Sequence, residues 1–211
     1  MIQLSLARHT HPKPMQDRQQ SGFSLIEISI VTAIIMLIAI VGIPAVQAYV
    51  IENKVPRVAE EIQRFVARIK ANTHGFGSSP YADIDVGTLA NALRTSSVVA
   101  VTGQGAAATV AHGLGGAGKS GKGVILVAPH ALAGGAGGSA FTVTFTNVNQ
   151  AACPGLASIL QRIAEVVSIA GQAGPMVVKD TSSEPGTPYN AMLADAQCAT
   201  GDRNTFTFTV R

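Results

Sequence analysis

Three sets of residues have types and spacing that bear on chemistry. Glu27 is a carboxylate inside residues 23–51 (FSLIEISIVTAIIMLIAIVGIPAVQAYVI), where it is the only charged side chain. Residues 113–120 (GLGGAGKS) satisfy G-x-x-x-x-G-K-[ST], a spacing in which backbone N–H groups and a lysine can cradle phosphates. Cys153 and Cys198 are the only cysteines, 45 residues apart. Each set needs a setting. The carboxylate needs a cation, the phosphate loop a strand-to-helix junction, and the cysteine pair an oxidising compartment.

The setting of Glu27 is the most informative. A spanning helix takes roughly 20 apolar residues, and residues 23–51 exceed that length. A carboxylate in such a segment costs about 2.5–3.5 kcal/mol and marks function. No cation lies within the run, so the partner must come from a chain terminus, a neighbouring subunit or the interface. Residues 1–22 are polar and basic, with Arg8, Lys13 and Arg18 against Asp17. Positive charge stays cytoplasmic, which puts this end inside and the bulk of the chain outside. A secretory cut would fall after the apolar run, near Ala45 or Ala48. A polar stretch of 22 residues before a 29-residue apolar run is long for such a signal.

Gly22-Phe23-Ser24-Leu25-Ile26-Glu27, behind a basic leader and before an unbroken apolar run, resembles the prepilin motif of type IV pilins and type II secretion pseudopilins. The resemblance covers residues 17–70. It implies a peptidase cut after Gly22, N-methylation of the new terminus Phe23, and an assembly role for Glu27. Pro44 falls where these pilins place a helix-kinking proline. The cut creates an amine at Phe23 that the Glu27 of a neighbouring subunit can neutralise. Such a desolvated pair contributes register more than stability.

Beyond Ile51 the helical period continues. Val55, Val58, Ile62, Phe65, Val66 and Ile69 recur at three- and four-residue spacing, and charged residues fill the other faces. One long helix is therefore expected from Phe23 to about Ala71, roughly 70–75 Å at 1.5 Å per residue. Its transmembrane and polymerisation half is 23–51, and its amphipathic half is 52–71. Pro44 and Pro56 each remove a helix hydrogen bond and should bend or locally melt it. The chain's formal charge is +3, and residues 1–22 supply +2 of it. Residues 23–211 are near +1, so the basic balance says little about nucleic acid. What remains after the leader accommodates one head, residues 72–211.

In that head the two cysteines read as one disulfide, since the compartment is oxidising and no His or Cys nearby completes a metal set. The resemblance makes 153–198 the disulfide-bounded C-terminal region. Residues 72–81 read as a loop and 86–93 as a short helix. Residues 97–102, 108–112, 124–127, 140–148 and 205–211 read as strands. Residues 151–170 read as a helix, and 187–196 as another short one. The expected fold is α+β, a long N-terminal helix packed on an antiparallel sheet with additional short helices.

Other chemistry is thin. Gly121 and Gly123 follow the phosphate-loop match at once, and then comes a strand-like run in place of a helix. The match reads as flexible β-connection. His74, His112 and His130 are scattered and read as solvated. Asp83 and Asp85 are too few for calcium; Asp85 is placed to cap the helix at 86–93. No cofactor, metal or catalytic set is expected, and no specific nucleic acid or small-molecule ligand.

The resemblance implies a type IV pilus subunit, held in the inner membrane with its head periplasmic and then assembled into an extracellular filament. Its expected partners are other copies of itself, the prepilin peptidase, the inner-membrane assembly platform and the assembly ATPase. The leader, head size and cysteine pair are similar to the type IVb group, whereas Phe23 is typical of type IVa. A type II secretion pseudopilin or a minor pilin is the alternative. A membrane-anchored nucleotide-binding enzyme is the remote one.

Overall fold

The structure is a computed structural model that describes residues 22–73, 77–132 and 134–211. It divides into two units, one ending at Gly42 and one running from Ile43 to Arg211. Helix α1, Leu25–Thr73, contributes residues to both and continues through Pro44 and Pro56 without interruption.

In the second unit the amphipathic stripe of α1 becomes core. Val55, Val58, Ala59, Ile62, Phe65 and Val66 are all buried. Burying side chains of the size of Ile62 and Phe65 stabilises by about 1.5–3 kcal/mol each. Phe65 meets the ring of Phe141 edge-on, at 6.5 Å and 85°. That contact fixes the helix on the sheet with the geometry aromatic quadrupoles favour.

The sheet has five antiparallel strands in the order β3 (Ile125–His130), β4 (Ala140–Asn149), β7 (Asp202–Val210), β5 (Val166–Ala170), β6 (Pro175–Asp180). A separate hairpin joins β1 (Ala100–Thr102) to β2 (Thr109–Ala111). Alternation in β4 and β7 decides which face goes inside. Val143 pairs with Phe208 and Phe145 with Phe206 on the buried face, while Thr144 pairs with Thr207 on the other. The last strand in sequence thus sits in the middle of the sheet, its two edges taken by β4 and β5.

Among the described residues three short α-helices complete the head: α2 (Val86–Leu93), α3 (Cys153–Leu160) and α4 (Ala191–Ala196). Asp85 caps α2, accepting from the Thr88 N–H and hydroxyl at 2.8 Å each. Asn190 caps α4 through the Leu193 N–H. The architecture is the α+β arrangement expected.

Two expectations are corrected. Residues 151–170 are not one helix. A 3-10 turn at Gln150–Ala152 leads into α3, which ends at Leu160; Val166–Ala170 is strand β5. Leu156, Ile159, Leu160, Ile163 and Val166 satisfy a helical period, but Val166, Val167 and Ile169 are β-branched and find partners in β7. Val167 pairs with Phe208 and Ile169 with Phe206. Tertiary pairing overrides the local pattern. Lys179 seals the break, its ammonium donating to the Gln161 and Ala164 carbonyls at 2.7 Å each. Strand β6, which supplies that lysine, is a further element the sequence pattern did not reveal.

His112 is fully buried instead of solvated. Nδ1 accepts the Leu114 N–H at 3.0 Å, so the proton of the neutral ring sits on Nε2 and is donated to the Thr146 carbonyl at 2.9 Å. Burial pushes its pKa below the ordinary 6.5, against smaller opposing effects of the Thr146 carbonyl and Asp202. His130 is exposed as expected, and His74 lies outside the described residues.

Candidate functional site

The first unit carries Gly22, Phe23 and Glu27, the residues of the prepilin-like motif. Gly22 and Phe23 precede α1 in exposed chain outside the helix, with Phe23 77% accessible. A Cβ at Gly22 would meet nothing within 4 Å. Helix α1 begins two residues after Phe23, and Glu27 lies in its first turn, where a carboxylate complements the helix dipole. Among the described residues the ion pairs are those of Arg64 with Glu60 and Glu61, so Glu27 has no cation beside it. The rest of the leader, residues 1–21, lies outside the described residues.

From Leu25 to Val50 every large apolar side chain of α1 is at least partly exposed, and a window of 18 residues reaches a mean hydropathy of 2.7. The Ser29 and Thr32 hydroxyls in this stretch are satisfied internally. Thr32 donates to the Ile28 carbonyl at 2.7 Å and Ser29 to the Ile26 carbonyl at 3.2 Å. Such back-bonding removes the cost of carrying a hydroxyl into lipid or into packed helices. What this surface can do chemically is bury itself, in a bilayer or against other apolar helices.

In the head, Cys153 and Cys198 are bonded, with Cα atoms 6.0 Å apart. Cys153 opens α3 and Cys198 follows α4, so the bridge closes a loop containing β5 and β6. The phosphate-loop match takes a different form from the one its sequence suggests. Residues 113–123 link β2 to β3, and Lys119 and Lys122 exchange backbone hydrogen bonds across a tight turn. No helix begins at Lys119 or Ser120, so no helix N-terminus faces a phosphate there. The glycines serve close packing instead. Gly115 has φ +134°, and a Cβ there would lie 2.6 Å from the Asn149 nitrogen. Asp202 then holds the loop through the Gly116 N–H at 2.8 Å.

Two family models divide the chain between them. The one described as PilS N terminal matches residues 57–211, and the one described as Prokaryotic N-terminal methylation motif matches residues 17–43. The chain belongs to the PilS family of type IV pilins. Among solved structures, the pilin is similar to the type IV b pilin from Salmonella typhi. Identity is 20%, the TM-score 0.49, and the match covers 74% of this chain and 96% of that one. It is also similar to TcpA, a type IV pilin from Vibrio cholerae El Tor biotype, at 13% identity and TM-score 0.47, covering 76% and 99% of the two chains. No curated protein matches it.

As a pilin, the protein is a structural subunit of a pilus, anchored by its apolar helix and assembled into a filament. The methylation-motif match spans Gly22, Phe23 and Glu27, the same residues that stand exposed at the start of α1. The sequence pattern missed the Asp202 contacts and the burial of His112. Each depends on partners more than 30 residues away.

Proposed function

We propose that this pilin is cut after Gly22 by a prepilin peptidase, N-methylated at Phe23, and assembled into a type IVb-like surface filament. In that filament the Glu27 carboxylate neutralises the Phe23 amine of a neighbouring subunit. The observation that carries this is the bare apolar half of α1 with one uncompensated carboxylate in its first turn. Neither feature has a partner among the described residues, and packed copies of the same helix supply both. Before assembly the helix sits in the inner membrane with the head in the periplasm. An assembly platform and its ATPase then extract the subunit, and residues 52–71 hold the head on the outside of the fibre. Adhesion, aggregation, motility or DNA transfer are the uses open to such a fibre.

N-terminal sequencing and intact-mass measurement of filaments sheared from cells test the reading. A chain beginning at Phe23 with one added methyl group is expected. An intact Met1, or a terminus just after Ala45 or Ala48, would overturn it.

A further inference from the structure

We propose that the lysine hairpin at Lys119–Lys122 of one copy docks into the acidic groove formed by Glu52 and Asp195 of a second copy in the filament. The inference rests on the filament reading above. It adds which surfaces of the heads meet.

The hairpin carries a repulsion that the fold leaves in place. The Lys119 N–H donates to the Lys122 carbonyl at 3.2 Å, and the Lys122 N–H donates back at 3.0 Å. Ser120 and Gly121 make the two-residue turn, with φ of 53° and 76°. Residues paired in this way project from one face, and like charges so placed are destabilising. Both lysines are exposed, and among the described residues neither forms an ion pair. An anionic surface outside the chain would turn the repulsion into attraction.

The chain carries a matching surface. A groove of about 650 Å³ lies between Ala48, Ile51 and Glu52 of α1 and Pro154, Asp195 and Gly201 of the head. Its ionisable side chains are Glu52 and Asp195, both acidic, both exposed, and neither in an ion pair among the described residues. The hairpin loop adjoins the rim of the groove, since Gly115 and Gly116 pack against Asn149 and Asp202 while Asn149 and Gly201 line the groove. Glu52 and Lys54 are separated by about 200° around the α1 axis. Glu52 lines the groove, whereas the Lys54 ammonium lies 3.9 Å from where a Cβ on Gly113, at the base of the hairpin loop, would stand. Two distinct, complementary patches on one chain make a heterologous, repeating contact when they meet between copies, the type that builds open helical assemblies.

The charge balance favours a second copy over a polyanion. Residues 23–211 carry about +1, the chain's +3 less the +2 of residues 1–22, so no broad positive field draws in nucleic acid. The two charges on each side are local and matched.

Both native cysteines are bonded to each other, so introduced cysteines report only new contacts. Full-length Lys122→Cys/Asp195→Cys is expressed in pilus-assembling cells, and sheared filaments are run on non-reducing gels. A covalent ladder is expected from the double variant and not from either single one. In parallel, Lys119→Glu/Lys122→Glu and Glu52→Lys/Asp195→Lys are each expected to lose filaments while keeping normal processing and membrane levels. Combining all four changes is expected to restore them. Filaments from the double-cysteine variant without a ladder, or normal filaments from both charge reversals, would overturn the pairing. So would DNA retention lost with filaments intact in the lysine variant, which would assign the hairpin to a polyanion. If the wild-type chain forms no filaments, the function reading itself fails.

Discussion

The Asp202 carboxylate accepts the backbone N–H of Gly116 at 2.8 Å, tying β7 to a loop 86 residues earlier in the chain. Its second oxygen accepts from the Asn149 amide at 2.6 Å. One side chain therefore orders the glycine-rich stretch that β-hairpin propensity alone would leave loose. Asp202→Ala orphans both donors. These bonds are solvent-exposed, so the expected loss is at the low end for hydrogen bonds to a charged group, about 1–1.5 kcal/mol. In detergent, the unfolding midpoint of the full chain should fall by about 2–4 °C. Limited proteolysis should gain a site between residues 113 and 123.

His112 makes the head acid-sensitive. Its pKa is lowered in the folded state, chiefly by burial, so below about pH 6.5 the unfolded chain binds a proton the folded chain refuses. Stability should fall as pH drops below that value, the loss being complete only under the depressed folded pKa. The charged group facing the ring is Asp202, which favours protonation and narrows the window. Asp85 and Asp180 act lower. Hydrogen bonds from Thr88 and from Ser182 hold their carboxylates under the ordinary 3.8, so their contribution is lost only as pH falls through those values. Denaturant melts between pH 7 and 5 should show a slope that His112→Gln flattens, at a lower plateau. An unchanged slope in the variant would assign the sensitivity elsewhere.

Removing the disulfide should cost more than any single hydrogen bond. The bridge closes a 45-residue loop that holds β5 and β6. Chain-entropy arguments give about 4 kcal/mol, and native disulfides typically contribute about 2–5 kcal/mol. Cys153→Ser/Cys198→Ser should lower the denaturation midpoint accordingly and reduce steady-state pilin in cells, measured by urea titration and immunoblot.

Glu27→Ala tests the intersubunit pair apart from processing. Gly22 should still be cut, because the motif around the junction is otherwise intact, while filaments fall to background by electron microscopy. Normal filaments of this variant would remove the carboxylate from assembly.

Lys179→Met probes the break between α3 and β5. Its ammonium satisfies two carbonyls at 2.7 Å each, and the methionine leaves both without that donor. A loss of about 1–3 kcal/mol is expected by chemical denaturation.

Much of this molecule was legible in one dimension because its signals are local. A bilayer-length apolar run, the glycine–aromatic junction and a glutamate at fixed offset need no partner to be read. The period of α1 is equally local, as is Asp85 before a short helix, and these account for Leu25–Thr73 and Val86–Leu93. Two cysteines with no third to compete fixed their own pairing. Tertiary structure decided the rest, and for one reason: the competing local conformations are nearly equal in energy. Residues 166–170 fit a helical period and a strand equally well until β7 lies beside them. Residues 113–120 read as a flexible β-connection from the glycines and strand-like run behind them, and only Asp202 and Asn149 fix that connection as a tight, packed turn. His112 is a surface residue by type and a core residue only because Thr146 and Leu114 satisfy both ring nitrogens.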